Sequence, residues 1–308
     1  MFTVLSSTKS SWLRVKKIRP ICPQPHLPFP QYWDDTTPVP FDTPIFPRVK
    51  QSEFSCLNLS ITVPRTSLVH DAPKVPVLVF IHGGAFVGGS LTVRVGAREI
   101  TDGYGLVHSS ISSGLNIITV TINYRLGPLG FLASKEVAAF NTSHNEPVGN
   151  YGLHDQRQAL LWIKDFIGGF GGDANNVTIY GTSAGGASCH YLSIFPERNF
   201  KRAIISSATL FGIGALPVEH HQSAFDDFKT KFAAGSENVI QTLQAVPVQE
   251  FVNLVKMSGC APLVDGEWIV EAALHGRIDG EDPPDLMIGS CNYEVRWSLL
   301  SNLKSTVI

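Results

Sequence analysis

Residues 177–188 read VTIYGTSAGGAS: an apolar run, a serine with a glycine two places to either side, then small helix-forming residues. A serine hydroxyl becomes a nucleophile only where the backbone presents it and a base takes its proton. Ser183 falls where a strand is expected to turn sharply into a helix. Such a turn strains the backbone of the serine and lifts its hydroxyl clear of the sheet. The residues two before and two after the serine pack against each other there, and Gly181 and Gly185 are small enough to do so. The helix start at Ala184 aims backbone N–H groups at developing negative charge. The G-x-S-x-G spacing alone is common, and a structural turn serine is the plain alternative. The apolar run before it and the helix formers after it supply the context that the chemistry needs.

A second stretch, FIHGGAF at 80–86, ends another apolar run in adjacent glycines. An oxyanion hole needs backbone donors on a loop that approaches the substrate closely, and glycine permits that approach. The expected donors are the N–H groups of Gly84, Ala85 and, across the site, Ala184. A glycine turn without chemistry is the alternative. His82 reads as a residue that orients this loop rather than as the base.

None of the ten histidines has a spacing that marks it as the base. His190 lies seven residues past Ser183, about 10 Å along the same helix at ~1.5 Å per residue, and points away. His154 opens the preceding helix, and His220 and His221 fall in a helical insertion. His26, His70, His108, His144 and His275 fall in loops or on helical surfaces.

The elements that must hold these residues follow from hydrophobic periodicity. VPVLVFI (75–81) and LNIITVTINY (115–124) are near-continuous β-branched runs, and VTIY (177–180) is a shorter one. Runs of this kind suit parallel strands covered on both faces. CLNLSITVP (56–64) alternates like a half-buried strand, while KRAIISS (201–207) and DLMIGS (285–290) read as two more strands. DQRQALLWIKDFI (155–167) places Ala159, Leu160, Ile163 and Ile167 on one helical face, and GGFGG ends that helix. Helices are expected near 224–232, 239–245 and 248–257, inside an insertion at 211–262. Strand–helix alternation of this kind predicts an α/β, doubly wound, mostly parallel sheet in one domain over 1–308. Residues 20–47 hold nine of the twenty prolines, so 20–48 is expected to wrap a surface in extended form.

The bulk properties exclude some classes. The chain has 308 residues, is 44% hydrophobic and carries a formal charge of −2, so it has no electrostatic footprint for nucleic acid. No apolar window is long enough to span a membrane. The N-terminus lacks the apolar core of a secretory signal, so the chain reads as cytoplasmic as it stands, or secreted if its true start is missing. The five cysteines, Cys22, Cys56, Cys189, Cys260 and Cys291, show no metal-ligand spacing. Sequons occur at Asn58, Asn141 and Asn176.

Across roughly 22–294 the sequence resembles the type-B carboxylesterase and cholinesterase-like family of α/β-hydrolases, fungal members in particular. The resemblance rests on CPQ at 22–24, CLNLSITVP, FIHGGAFVGGS (80–90), INYRLGPLGFL (122–132), the block 149–188 and LVDGEW (263–268). It implies hydrolysis of a small-molecule carboxylic ester through an acyl intermediate on Ser183, without metal or organic cofactor. It further implies that Glu294, in IGSCNYEV, is the triad acid, and that Cys22 and Cys56 pair in an oxidising compartment.

Departures from the family pattern are Thr182 where an acid is usual, Ala85 where a third glycine is common, and Val295 after Glu294. No histidine follows Glu294 in this sequence. The family's C-terminal strand and helices, and its opening strands, are therefore expected to be missing. A hydrolase lacking its usual base and an inactive esterase-like binding protein or gene-model fragment both fit. So does reuse of the pocket for acyl transfer or dehydration.

Overall fold

The computed structural model describes residues 12–14, 20–25, 50–92, 94–95, 98–99, 101, 103–195, 197–254, 260–270 and 283–291. The β-branched runs form the centre of a seven-stranded sheet, ordered β1-β2-β6-β3-β7-β8-β9. These strands are β1 (Trp12–Arg14), β2 (Leu59–Pro64), β3 (Val75–Ile81), β6 (Ile118–Ile122), β7 (Gly172–Thr182), β8 (Arg202–Ser206) and β9 (Asp285–Gly289). β4 (Arg94–Val95) and β5 (Arg98–Glu99) form a separate two-stranded ladder. β1 and β2 run antiparallel to their neighbours, whereas β6, β3, β7, β8 and β9 are parallel. All five residues of β6 are buried, so both faces of the sheet are covered there.

Several elements depart from the sequence expectation. β7 spans 11 residues rather than four, because its polar front half pairs Gly172 with Val75 across a register shift. β2 does not alternate: its last four residues are all buried, Thr62 among them, because α1 (Tyr104–Ser112) packs on it. α4 (Tyr151–Phe166) starts four residues earlier than expected, at Asn150 in a left-handed conformation. α2 (Gly127–Phe131) and α3 (Lys135–Ser143) had no periodic signal. The insertion between β8 and β9 holds α6 (Val218–Phe232), α7 (Val239–Gln244) and α8 (Val248–Asn253). Around Phe225, Phe228 and Leu243 these helices build a second, small apolar cluster that also takes in Leu132 and Val137.

Two polar joints fasten α4, one to the end of β6 and one to the 263–269 loop. Asp155 on α4 accepts from the backbone N–H, Nε and an Nη of Arg125, just past β6, at 2.8–2.9 Å. Asn150 pairs with both backbone groups of Leu263 and donates to Asp265, whose other oxygen caps the N–H groups of Glu267, Trp268 and Ile269. This joint is where the GNYG and LVDGEW stretches meet. Of the proline-rich segment only its start is described, and residues 21–24 are buried. Cys22 and Cys56 form a disulfide with their Cα atoms 4.7 Å apart, while Cys189 and Cys260 are buried and Cys291 is exposed.

Candidate active site

β7 delivers the chain to Ser183 at the carboxyl edge of the sheet, and α5 (Ala184–Ile194) leaves from it. Ser183 has φ 57° and ψ −128°, which an L-residue holds only under constraint. The constraint is visible on both sides. A Cβ on Gly181 would overlap the Gly185 carbonyl, and one on Gly185 would overlap that of Ile81. The Ser183 N–H donates to the Ser206 carbonyl at 2.9 Å, and its own carbonyl accepts the first helical bond from Ala187. Ser183 is exposed while every residue of α5 is buried. The hydroxyl therefore stands out from a rigid base and makes no hydrogen bond among the described residues.

β3 runs parallel to β7 with Ile81 opposite Gly181, which brings the loop after β3 alongside the serine. A Cβ placed on Gly83 would lie 3.2 Å from the Ser183 Cβ and 2.6 Å from the Thr182 carbonyl oxygen. Gly84, Ala85 and Phe86 all have positive φ, and the Gly84 carbonyl accepts from both Val87 and Gly88. Holding an L-residue such as Ala85 in this region costs about 1–2 kcal/mol. That strain turns the backbone over. The N–H groups of Gly84, Ala85 and Ala184 donate to no protein group among the described residues.

The loop is fixed from beneath. Phe86 is buried against Phe131, with ring centroids 4.7 Å apart, and its carbonyl accepts from Gly127. His82 stacks on Tyr124 at 4.4 Å, and the Tyr124 hydroxyl donates to the His82 carbonyl. The His82 Nδ1–H donates to the Gly83 carbonyl at 2.8 Å. Burial lowers its pKa to about 4 despite that acceptor, so the ring is neutral at pH 7.

Eight of the histidines lie among the described residues, and none hydrogen-bonds to Ser183. His154 lies within α4, stacked on Trp268 at 3.8 Å, and desolvation lowers its pKa to about 4. His190 is buried, accepts weakly from the Leu210 N–H, and also has a lowered pKa. His221 is fully buried in α6, with neither ring nitrogen hydrogen-bonded among the described residues. Glu294, His26 and His275 lie outside the described residues.

The Ser207 N–H donates to the carbonyl of Gly289, the last residue of β9, so β7, β8 and β9 end as adjoining steps of one edge. Sequence reasoning missed Ser206 and Ser207, the latter at φ 62°, although a paired serine at a strand end is a recognisable turn signal. It also missed Gln156, which donates to Ser188 behind the elbow. Among the described residues no cluster of His, Cys, Asp or Glu could hold a metal ion. No described helix is long and apolar enough to cross a membrane.

A model of the carboxylesterase family matches residues 7–308. The bile salt-activated lipase of Bos taurus is 41% identical over 167 residues, 53% of this chain and 25% of that protein. The para-nitrobenzyl esterase of Bacillus subtilis is 39% identical over 160 residues, 51% of this chain and 28% of that protein. The matched stretches thus span about a quarter of these relatives' own lengths. A solved structure of a thermophilic PNB esterase superimposes with a TM-score of 0.66 at 26% identity, covering 89% of this chain and 52% of that one.

Proposed function

The chain belongs to the carboxylesterase family and has its α/β-hydrolase fold, and on that premise we propose that it acts on small-molecule carboxylic esters through Ser183. The Ser183 oxygen attacks the ester carbonyl carbon while its proton passes to solvent water, which returns a proton to the departing alcohol. The carbonyl oxygen becomes an anion held by the N–H groups of Gly84, Ala85 and Ala184, each contributing roughly 3 kcal/mol to the transition state. Collapse expels the alcohol and leaves an acyl-serine, which water then cleaves. Glu294 is the triad acid of this reading; the preceding strand, β9, ends beside Ser207, with β8 between it and the strand that leads to Ser183.

The observation that carries the proposal is the pairing of a constrained, exposed Ser183 with the unspent backbone donors of Gly84 and Ala85 after the neighbouring strand end. No described histidine hydrogen-bonds to Ser183, and a serine without a base reacts slowly. We therefore expect slow chemistry from this 308-residue chain. The disulfide fits an oxidising compartment.

The test is reaction with a fluorophosphonate probe and turnover of a p-nitrophenyl butyrate, beside Ser183→Ala. Slow labelling and weak turnover, both lost in Ser183→Ala, are expected. Equal rates in Ser183→Ala would overturn the assignment. A second reading, an esterase-like binding protein, is favoured by the unpartnered hydroxyl. A folded chain that binds an ester but never labels would select it.

A further inference from the structure

The loop that carries the candidate oxyanion donors runs from Gly83 to Gly89, and its two ends are fastened differently. The entry is held by Tyr124 and His82, as described. At the exit, Gly89 has φ 116°, and a Cβ there would collide with the Gly83 carbonyl and the His82 ring, so the loop closes tightly on its own start. Both backbone groups of Gly89 are taken by one side chain. The Gly89 N–H donates to Gln24 Oε1 at 2.8 Å, and Gln24 Nε2 donates to the Gly89 carbonyl at 3.0 Å.

Gln24 is 2% exposed and 65 residues away in sequence. Its Nε2 also donates to the Cys22 carbonyl at 3.2 Å, and its backbone N–H donates to Gln51 Oε1 at 2.9 Å. The short segment that bears it is anchored on both sides. Cys22 is bonded to Cys56, and Ile21 exchanges backbone hydrogen bonds with Lys50 and Ser52. The Cys56 carbonyl in turn accepts from Asn123 at the end of β6, and Asn123 accepts from the N–H of Leu91, just past the loop.

We propose that Gln24 is a positioning residue for the oxyanion loop, a two-way amide latch on Gly89 held in place by the Cys22–Cys56 disulfide. A planar amide that both donates to and accepts from one residue reproduces a strand pair, so it fixes the Gly89 peptide planes in direction as well as distance. Without it, the buried N–H and C=O of Gly89 lose their partners, and the loop must shift to reach water. A donor displaced by more than ~0.5 Å meets the developing oxyanion poorly. The inference rests on the reading of Ser183 and residues 83–85 as an ester-hydrolysing site; Gln24 itself touches no substrate.

The test compares the full chain with Gln24→Ala, Gln24→Glu and the Cys22→Ser/Cys56→Ser pair. Amide hydrogen exchange is followed over residues 83–91, together with kcat and KM for p-nitrophenyl butyrate. In Gln24→Ala, exchange over 83–91 accelerates roughly tenfold or more while β3 and β6 keep their protection. kcat falls about 10- to 100-fold with KM unchanged, less than the loss of a whole donor group. Gln24→Glu, which still accepts from the Gly89 N–H, recovers part of the protection at that end. The serine pair moves both readouts in the same direction as Gln24→Ala.

Wild-type exchange over 83–91 in Gln24→Ala overturns the latch, as does an equal loss of protection in β3 and β6. An unchanged kcat in a chain that turns over ester also overturns it. If neither wild type nor variant turns over ester and the exchange difference persists, the latch stands and the hydrolase reading fails.

Discussion

Substitution of Gly185 by alanine probes the elbow most directly, because the only change is one methyl group. That methyl would lie 2.1 Å from the Ile81 carbonyl oxygen and 2.9 Å from the His82 carbonyl oxygen, both backbone atoms that cannot rotate aside. Restoring even 3.0 Å to Ile81 requires the start of α5 to retreat from β3 by about 0.9 Å, an overpacking that costs about 1–3 kcal/mol. The higher helix propensity of alanine offsets up to ~1 kcal/mol of that. With a net loss of about 1–2 kcal/mol, and an unfolding entropy of ~2.1 cal/mol/K per residue over 308 residues, the melting temperature falls by roughly 2–3 °C. The same retreat moves the Ala184 N–H and the Ser183 hydroxyl away from the loop at 83–85, and a misplacement of ~1 Å costs about 10²-fold in rate. Gly169 is the control. It is exposed, has no atom within 4 Å of its would-be Cβ and does not have positive φ, so alanine there is neutral or gains ~0.4–1 kcal/mol. Calorimetry and fluorophosphonate labelling rates on the two variants decide the matter. A Gly185→Ala protein that melts as high as Gly169→Ala and labels as fast as wild type would refute the elbow geometry.

Two further outcomes follow from the buried charges. The pKa of His82 is lowered to about 4 by desolvation, so between pH 6.5 and 4 the unfolded chain binds a proton that the folded chain refuses; about 3 kcal/mol is lost as pH falls through that window and none above it. Urea midpoints at pH 7 and 4.5 should show a smaller acid loss in His82→Gln than in wild type, with His154, His190 and His221 supplying the remainder; equal losses refute it. Arg125→Met leaves Asp155, whose side chain is 7% exposed, buried without its counter-charge, and should lower the unfolding free energy by about 3 kcal/mol; a change under ~1 kcal/mol in denaturant titration refutes that role.

The strands that were legible in the sequence are those that are apolar along nearly their whole length. β6 is buried at every position and β3 is buried on one face and half-buried on the other from Val77 onward, and the Ser183 turn announces itself by two glycines that only close backbone contact requires. The front of β7 was illegible because Asp173, Asn175 and Asn176 have weak strand propensity and lie in the irregular stretch between the Gly172–Val75 and Val177–Val77 pairs. α3 buries no residue, so it has no apolar stripe to read, and α2 is written in Gly and Pro that look like a loop. Long-range polar joints leave no local trace: Gln24 with Gly89, Asn150 with Leu263 and Arg125 with Asp155 each join residues far apart in sequence. The pairing of Cys22 with Cys56 came from the family resemblance, since five cysteines do not by themselves select one pair.

The helix that begins at Ala184 has no wet side: all eleven of its residues are enclosed, including Ser188, His190 and Ser193. A shaft gripped along its whole circumference cannot loosen at its tip while the body stays native. The conformation of Ser183 and the integrity of the domain are therefore lost together, and chemical capture of that one oxygen doubles as a gauge of how much of the population is folded.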